Sequence, residues 1–502
     1  SIEGREAIAE VDRRFAQQRP QIQQTVRAVE DLGLDPSGGT SVSGTLESEL
    51  SGMANTRIVF PGDGTFLLSE QVTAQPDGPI EFVGNGCSFV IPPNTEMRSF
   101  VFVLPSGSLI NNIVIDQSAT GAIQEFSVQT EGVVRADNVT VKGYIPAHTS
   151  SSNIDATFSP IARTEGAVVR ATNYTAVGGT AAGIHDEADL PPSAPENRLG
   201  GSIGIWVGQS TKGTIQLVNP TLSGWSNGIY GGRTTGRVEV RGGTFVNNWN
   251  CQTRIGGGSV VDGASMLLDD RQWSDKGPFK IGHQGVYAAR VDAKHGNTTD
   301  PARFVNLDVR AMSMREGASL FDWESVSGPG IIQNCRITNH LDRPVILGES
   351  PSVSGPTNIM VDQCLITGSS SGTVMECHDR PQSRVQWTCI QLPDAGPEDI
   401  QGAQIGQGVS FGPQCMTGSG LAAPKKVGSG GNISSLPAPT NPSGPSGPGP
   451  DNPAREGPSK GVFVAVIDGI FMVLLLLLGM VVLFVAGILG ALGALAGMIG
   501  GD

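Results

Sequence analysis

The chain has 502 residues, of which 69 are Gly, 5% are aromatic and 16% are charged, and its formal net charge is −14. A large helical domain would contain more Leu, Glu and Lys, so this composition indicates many short strands joined by tight turns. The negative charge excludes nucleic acid as a partner, because a phosphate backbone attracts basic surfaces. It also suits a protein surface adapted to high salt.

The first segment, residues 1–33, is predicted to be helical. Its apolar residues recur at spacings of three and four, and Pro20 divides the pattern into two helices. Two functions fit this segment: a cap over the open N-terminal end of the next domain, or a helix for assembly of a homotrimer. We favour the cap. The apolar residues are Ile8, Val11, Phe15, Ile22, Val26 and Val29.

An internal repeat occupies residues 34–415. Its three clearest copies begin near Gly204, Gly228 and Cys251, and each contains three short alternating strand signals separated by Gly, Asn or Asp. One copy has the length of one triangular coil. A coil cannot bury its apolar face alone, but stacked coils form a continuous core with strands about 4.8 Å apart. The repeat therefore predicts an all-β parallel β-helix.

The front of this repeat carries a second signal. Residues 32–38 read LGLDPSG, residues 57–68 read RIVFPGDGTFLL, and residues 80–86 read IEFVGNG. These stretches resemble the opening motif of the pectate-lyase superfamily of right-handed parallel β-helices, a motif that also begins many phage tailspikes. The resemblance implies a right-handed helix. It implies little about activity, because the superfamily includes lyases, hydrolases, epimerases and proteins that only bind.

The seven cysteines lack the spacing of a metal site, and their odd number argues against a complete disulfide framework. We therefore expect mostly free, buried thiols and no cofactor. Three of the cysteines, Cys335, Cys364 and Cys389, occupy the same position in weaker copies of the repeat. They are predicted to form a stack inside the β-helix.

Two segments follow the repeat. Residues 416–460 are predicted to be a linker, because the Pro/Gly/Ser-rich stretch at 437–450 cannot form a core. Residues 461–499 are almost wholly apolar, interrupted only by Asp468. Since about 20 residues span a bilayer, we predict a C-terminal transmembrane helix in a lipid membrane. Its lipid-facing residues include Phe471, Leu474, Leu477, Val482 and Phe484.

The orientation in the membrane is argued both ways. The nearby positive charges, Arg455 and Lys460, precede the apolar segment, and the positive-inside rule would then place the β-helix in the cytoplasm. A Pro/Gly/Ser stalk beneath an elongated β-helix is the layout of a surface projection. We favour the extracellular face of a cell, or the surface of a virion.

Paired carboxylates with a nearby His are what a polysaccharide hydrolase needs. The best candidates are Asp269 and Asp270 with His283, which are similar to the Asp-Asp and Gly-His-Gly motifs of polygalacturonase-type enzymes. Gln284 interrupts the second motif and the spacing is short. An Asp-rich turn beside a loop His is the favoured interpretation.

A second charged cluster would suit a lyase, which needs a basic residue to remove a proton next to a carboxylate. Mixed charges at this density are more often a solvated surface, and we favour that interpretation. The cluster contains Arg310, Arg315, Glu316, Asp322 and Glu324.

Trp225, Trp249 and Trp273 recur 24 residues apart, one in each coil. If they point outward, they form a ladder that stacks on successive sugar rings. If they point inward, they are a core stack at a wide corner, and the pattern alone leaves both open.

The function favoured by these observations is a membrane-anchored, non-enzymatic surface projection that binds glycans or a partner surface. The alternative is an anchored polysaccharide lyase or hydrolase that uses Asp269, Asp270 and His283. A further alternative is a membrane-fusion protein whose Gly/Ala-rich C-terminus perturbs lipid.

Overall fold

The structure is a computed structural model, and it describes residues 2–19, 21–143, 156–178, 203–269, 271, 286–314, 317–413 and 415. These residues all lie in the first of the two compact units of the chain, Ser1–Pro442, and the second unit is Ser443–Asp502. The predicted linker, residues 416–460, and the predicted anchor, residues 461–499, are outside the described residues.

The described strands form the three faces of a parallel β-helix. Faces 1 and 2 belong to one 26-stranded sheet, because two long strands run through the corner between them, and face 3 is a separate 12-stranded sheet. The two long strands are β9 (Leu109–Asp116) and β11 (Val133–Lys142). The all-β parallel β-helix predicted from the repeat is confirmed.

Face 1 contains β1 (Gln24–Arg27), β3 (Thr56–Val59), β6 (Ile80–Val83), β13 (Val168–Thr172), β16 (Thr214–Val218), β19 (Arg237–Arg241), β22 (Val260–Asp262), β25 (Ala302–Val305), β28 (Gly330–Gln333), β31 (Ile359–Asp362), β34 (Arg384–Gln386) and β37 (Gln404–Ile405). Face 2 contains β2 (Ser37–Ser41), β4 (Thr65–Leu67), β7 (Ser88–Val90), β14 (Thr175–Ala176), β17 (Thr221–Ser223), β20 (Thr244–Val246), β23 (Ser265–Asp269), β26 (Asp308–Ser313), β29 (Arg336–Asn339), β32 (Leu365–Gly368), β35 (Cys389–Gln391) and β38 (Ser410–Phe411).

Face 3 contains β5 (Val72–Ala74), β8 (Glu96–Val103), β10 (Ile123–Thr130), β12 (Ala156–Ala162), β15 (Ile203–Trp206), β18 (Asn227–Gly231), β21 (Cys251–Ile255), β24 (Tyr287–Val291), β27 (Phe321–Trp323), β30 (Ile346–Gly348), β33 (Met375–Cys377) and β36 (Ile400–Gln401). Among the described residues, the helices are α1 (Ile2–Gln18), α2 (Ser43–Ser51) and a 3₁₀ turn at Pro397–Asp399.

The register explains the repeat length. In one coil step Ile215 pairs with Val238, Leu222 pairs with Phe245, and Ile229 pairs with Thr253, all in parallel strands. Each coil therefore presents one strand to each face and buries the inward residues against the coils above and below.

The corner between faces 1 and 2 explains the recurring Asn. Asn138 and Asn173 have φ of 55° and 53°, a left-handed conformation that Asn tolerates better than most residues. Asn173 Nδ2 donates to Asn138 Oδ1 at 2.9 Å, and Asn334 Nδ2 donates to Asn306 Oδ1 at 2.5 Å. Stacking therefore satisfies the corner amides from coil to coil.

The cysteine predictions are partly wrong. Cys335 and Cys364 are buried, and the residues that follow them, Arg336 and Leu365, pair in register, so these two thiols do stack. Cys389 does not join them, because it pairs in register with Leu365 and so lies one residue further along its strand. It forms a disulfide with Cys415 across a Cα–Cα distance of 5.6 Å.

The prediction that residues 1–33 cap the open N-terminal end of the β-helix is wrong. It is α2 that lies at the open end beside β5, with Leu46 and Leu50 buried in the core. The helix α1 lies outside the β-helix, where Val11 and Phe15 pack on β11 and β13 of face 1.

The second predicted N-terminal helix is the strand β1. Val26 is buried there and pairs with Ile58 of β3, because the edge of face 1 offers a ladder of hydrogen bonds to a β-branched residue. Among the described residues, neither α-helix is long and apolar enough to cross a membrane.

Candidate functional site

The outer side of face 3 carries a row of side chains, one per coil. Phe126, Phe158 and Ile205 point into the core, so the residue after each of them points outward. Strand pairing continues the row from Trp206 to the C-terminal coils at steps of about 4.8 Å. This face 3 row is Ser127, Ser159, Trp206, Tyr230, Arg254, Arg290 and Asp322.

A groove of about 470 Å³ lies over the N-terminal half of the row. Trp206 is half-buried in its wall, and its indole packs edge-to-face on Tyr230 with ring centroids 4.7 Å apart. A Cβ at Gly208 would lie 2.8 Å from Trp206 Nε1, so glycine keeps the space beside the indole open. The lining residues are Arg98, Glu125, Ser127, Gln129, Ala156, Ser159, Ile161, Trp206, Gly208, Gln209, Ser210 and Arg233.

Two polar atoms at this groove are buried without a protein partner among the described residues. They are Ser159 Oγ, on a residue 5% exposed, and Tyr230 Oη, on a residue 8% exposed. A buried hydroxyl without a hydrogen bond costs free energy. The groove is therefore suited to a ligand that brings hydrogen-bonding groups of its own.

An arginine–carboxylate network, defined as Arg254, Arg290, Asp292, Asp322 and Glu324, lies next along the row. Arg254 Nη2 donates to Asp292 Oδ2 and to Glu324 Oε1, both at 2.7 Å. Arg290 Nε lies 2.8 Å from Asp322 Oδ2 and 2.8 Å from Glu324 Oε1. The network therefore ties three coils together by charge-assisted contacts.

Aromatic rings flank this network. The Arg254 guanidinium lies 4.6 Å from the centroid of the Tyr230 ring, and that of Arg290 lies 4.9 Å from the Tyr287 ring. In such contacts each guanidinium cation lies over the face of a ring and is attracted to it. They connect the network to the groove, because Tyr230 contacts both Trp206 and Arg254.

Burial dominates the titration of two carboxyl groups of the network. It raises the pKa of Asp322 and of Glu324 above their ordinary values, while Arg290 and Arg254 oppose that shift. Burial also raises the pKa of the Cys251 thiol to about 12 and that of Tyr287 to about 12. Neither Cys251 nor Tyr287 is therefore ionised near neutral pH as a nucleophile or base would need to be.

The structure places Asp269 at the end of β23 in face 2. Arg271 donates from Nε to Asp269 Oδ1 at 2.7 Å and from Nη2 to Oδ2 at 2.6 Å. These hydrogen bonds lower the pKa of Asp269, so its side chain is a poor proton donor. Asp270 and His283, the other predicted catalytic residues, are outside the described residues.

The second predicted charged cluster does not form one group. Arg310 pairs with Asp308 on face 2 at 2.8 Å. Asp322 and Glu324 belong instead to the arginine–carboxylate network on face 3, because the turn between the faces separates them from β26. Arg315 and Glu316 are outside the described residues.

The prediction that the tryptophans point outward and bind a ligand is wrong for two of the three. Trp225 and Trp249 are buried, with exposed fractions of 0% and 1%. Trp225 Nε1 donates to the Ala176 carbonyl at 2.9 Å, so the one polar group of the indole is hydrogen-bonded inside the core. These two side chains cannot stack on a sugar, and Trp273 is outside the described residues.

Trp206 and Tyr230 are not among the predicted site residues, although the sequence carries a signal for them. They occupy the same position in the first two clear copies of the repeat, directly after Ile205 and Ile229. Since Ile205 and Ile229 are core residues, alternation places the next side chain outside.

No family model matches the chain, and no curated protein matches it. Solved structures with a similar fold include PfbA, a surface adhesin of Streptococcus pneumoniae, at 12% identity over 77% of this chain and 91% of that chain, with a TM-score of 0.48. Another is an endo-xylogalacturonan hydrolase from Aspergillus tubingensis, at 12% identity over 76% and 99%, with a TM-score of 0.37. A third is a tailspike protein of E. coli bacteriophage HK620, at 9% identity over 75% and 64%, with a TM-score of 0.35.

The class of this protein, a parallel β-helix, therefore follows from its own strand pairings. Within the described part of the chain, no group of three or more His, Cys, Asp or Glu residues is arranged to hold a metal ion.

Proposed function

We propose that the protein is a membrane-anchored surface projection that binds a glycan in the groove on face 3. The observation that carries the proposal is the half-buried Trp206 beside the buried hydroxyl of Ser159, which has no hydrogen-bond partner among the described residues. An indole face packs on the C–H face of a sugar ring, and a fixed hydroxyl binds a ring hydroxyl.

One more lining residue has matching chemistry. The side-chain amide of Gln209 both donates and accepts hydrogen bonds, as neighbouring sugar hydroxyls require, whereas Ser127 Oγ and Gln129 Nε2 already form hydrogen bonds within the wall. The groove also runs along several coils, so it is long enough for more than one sugar ring.

The disulfide supports a position outside the cytoplasm. Cys389 and Cys415 are bonded at the C-terminal end of the described coils, and disulfides persist in oxidising compartments rather than in the cytosol. The predicted linker and anchor follow Cys415 directly in the sequence and would tether the β-helix to the membrane at that end.

The test of glycan binding uses the full chain in lipid nanodiscs and a glycan array. We expect Trp206→Ala to lower the affinity for the bound glycan by about 2- to 13-fold, because an aromatic contact of this kind contributes about 0.5–1.5 kcal/mol. The matched control is Trp387→Asn, which removes an exposed Trp at a left-handed position far along the chain.

The same samples test the enzymatic alternative. New reducing ends or unsaturated products that disappear in Asp322→Asn would contradict a purely binding function. Equal loss of binding in Trp206→Ala and Trp387→Asn would contradict the assignment of the groove.

A further inference from the structure

We infer that the groove on face 3 selects uncharged glycans and rejects polyanionic ones. This inference rests on the proposed glycan-binding function and names the class of ligand for the same groove. It comes from the charge balance of the outer side of face 3, where arginines alternate with carboxylates.

Both arginines that line the groove lie beside an acidic side chain. Arg98 Nε is 3.5 Å from Glu125 Oε1, and Arg233 Nε is 3.8 Å from Asp292 Oδ2. The two arginine side chains are 45% and 39% exposed, whereas their carboxylate partners are 8% and 2% exposed. The carboxylates are therefore fixed parts of the wall, and they offset the cations that a ligand would meet.

The arginine–carboxylate network extends this balance beyond the groove. Its two arginines each contact two carboxylate oxygens, and Glu324 accepts from both. With Arg98, Arg233 and Glu125, four arginines lie among four carboxylates. A sulfate or carboxylate on a sugar could take Arg254 or Arg290 only by leaving a carboxylate buried and unpaired, and at the groove it would meet Glu125 or Asp292 beside each arginine. That cost makes the existing pairs a barrier against anions.

The net charge of the whole chain acts in the same direction. A protein of formal charge −14 repels a polyanion before contact. Salt screens this term over about 8 Å at physiological ionic strength. The local pairs are partly buried and are screened much less, so rejection by the groove should persist in salt.

An uncharged sugar meets none of these barriers. It uses the indole of Trp206 and the hydroxyl of Ser159, and it leaves every ion pair intact. The surface of the groove therefore favours hydroxyl-rich neutral chains.

The experiment measures binding of the full chain in nanodiscs to neutral, carboxylated and sulfated forms of the same galactose and glucose polymers. At 0.15 M salt we expect the neutral form to bind at least about tenfold tighter than either anionic form. Tighter binding of an anionic form would overturn the inference and leave the proposed function standing. Binding of no polymer by any variant would overturn the proposed function, and the inference with it.

Two variants locate the selectivity in the groove. Glu125→Gln frees Arg98, and Glu324→Gln weakens the hold on Arg254 and Arg290, so each should raise the affinity for the sulfated polymer several-fold. The matched control is Asp308→Asn, which changes the net charge equally but frees Arg310 on face 2. A gain in the control equal to that in both groove variants would show that overall charge sets the preference, and would overturn the inference.

Discussion

At the scale of single residues, the two classes of Trp have opposite roles. Trp206 lines an open groove, whereas Trp225 fills the core and donates to the Ala176 carbonyl. Replacing a fully buried Trp by Ala leaves a cavity that costs about 3–5 kcal/mol. We expect Trp225→Ala to lower the free energy of unfolding by that amount in urea denaturation.

Trp206→Ala supplies the comparison, since its side chain is only half-buried and its loss should lower the free energy of unfolding by less than that of Trp225 while it weakens glycan binding. If Trp225→Ala left the urea midpoint unchanged but removed glycan binding, the core assignment would be wrong.

Asp322 gives a prediction about pH. Because burial raises its pKa, the folded state holds the Asp322 proton more tightly than the unfolded state does. Its contribution to stability is therefore fully present below its ordinary pKa of 3.8 and is lost as the pH rises through the folded pKa. As the pH rises through the folded pKa, we expect the free energy of unfolding of the wild type to fall relative to that of Asp322→Asn.

Urea denaturation at a series of pH values measures this difference. Asp269 is the internal contrast, because Arg271 lowers its pKa. The contribution of Asp269 is present above its ordinary value and is lost as the pH falls through the folded one. The differences for Asp322→Asn and Asp269→Asn should therefore change in opposite directions, and parallel changes would contradict both pKa assignments.

At the scale of elements, α1 runs along the β-helix axis on the outside of face 1. Arg19 contacts Glu81 at one end, and the Ala7 carbonyl accepts from Gln216 at the other. Twelve helical residues rise about 18 Å, and the four coil steps from Glu81 to Gln216 cover about 19 Å. The match lets one helix contact successive coils without bending.

Asp12 is the polar contact at the centre of this helix. Its Oδ1 accepts from Arg170 at 2.7 Å and from Arg135 at 3.3 Å, and the Arg170 side chain is only 6% exposed. We expect Asp12→Asn to cost about 1–3 kcal/mol, because it weakens hydrogen bonds to a buried charged group. Hydrogen exchange of the α1 amides should then become faster.

Glu10→Gln is the matched control, because Glu10 pairs with Arg13 on the exposed side of the same helix. Such surface pairs contribute about 0–1 kcal/mol. Equal exchange rates in the two variants would mean that Asp12 does not hold α1 on face 1.

At the scale of the whole molecule, the repeat predicts the coil and its three faces because stacking leaves few alternatives for a chain of short strands. It does not predict which way a corner residue points. Gly224 has φ of 79° directly before Trp225. A turn of this kind interrupts the in-and-out alternation of side chains along a strand, so the alternation cannot predict whether Trp225 points inward or outward. The arginine–carboxylate network could not be predicted from the sequence either, because Arg254 and Glu324 are 70 residues apart and come into contact only when the coils stack.

The position of α1 on the side of the β-helix could not be predicted from the sequence for a related reason. Its apolar stripe of Val11 and Phe15 fits the end of a β-helix or its side equally well. The position of α1 is decided by Arg135 and Arg170, which bind Asp12 and lie far from it in the sequence. These two arginines are adjacent only because β11 and β13 pair in this register.

The disulfide supplies the last prediction, which concerns where the β-helix lies. Cys389 and Cys415 close a loop with a sequence separation of 26 residues, and a bond of this span stabilises by about 3 kcal/mol. Cys415→Ser should lower the free energy of unfolding by about that amount. Because Cys389 and Cys415 are bonded to each other, neither should react with a thiol reagent in folded protein isolated from intact cells or virions without reductant. The five other cysteines are free but buried, so they should add little background label.

A membrane-impermeant thiol reagent then distinguishes the two orientations after mild reduction. If the β-helix projects outward, an impermeant reductant followed by an impermeant maleimide labels Cys389 and Cys415 on intact cells or virions, and Cys415→Ser removes part of that label. If the β-helix lies in the cytoplasm, labelling requires lysis, and the pair should be found reduced before any treatment. A reduced pair protected in intact samples would refute the surface projection, because neither the oxidising compartment nor the outward orientation would then hold.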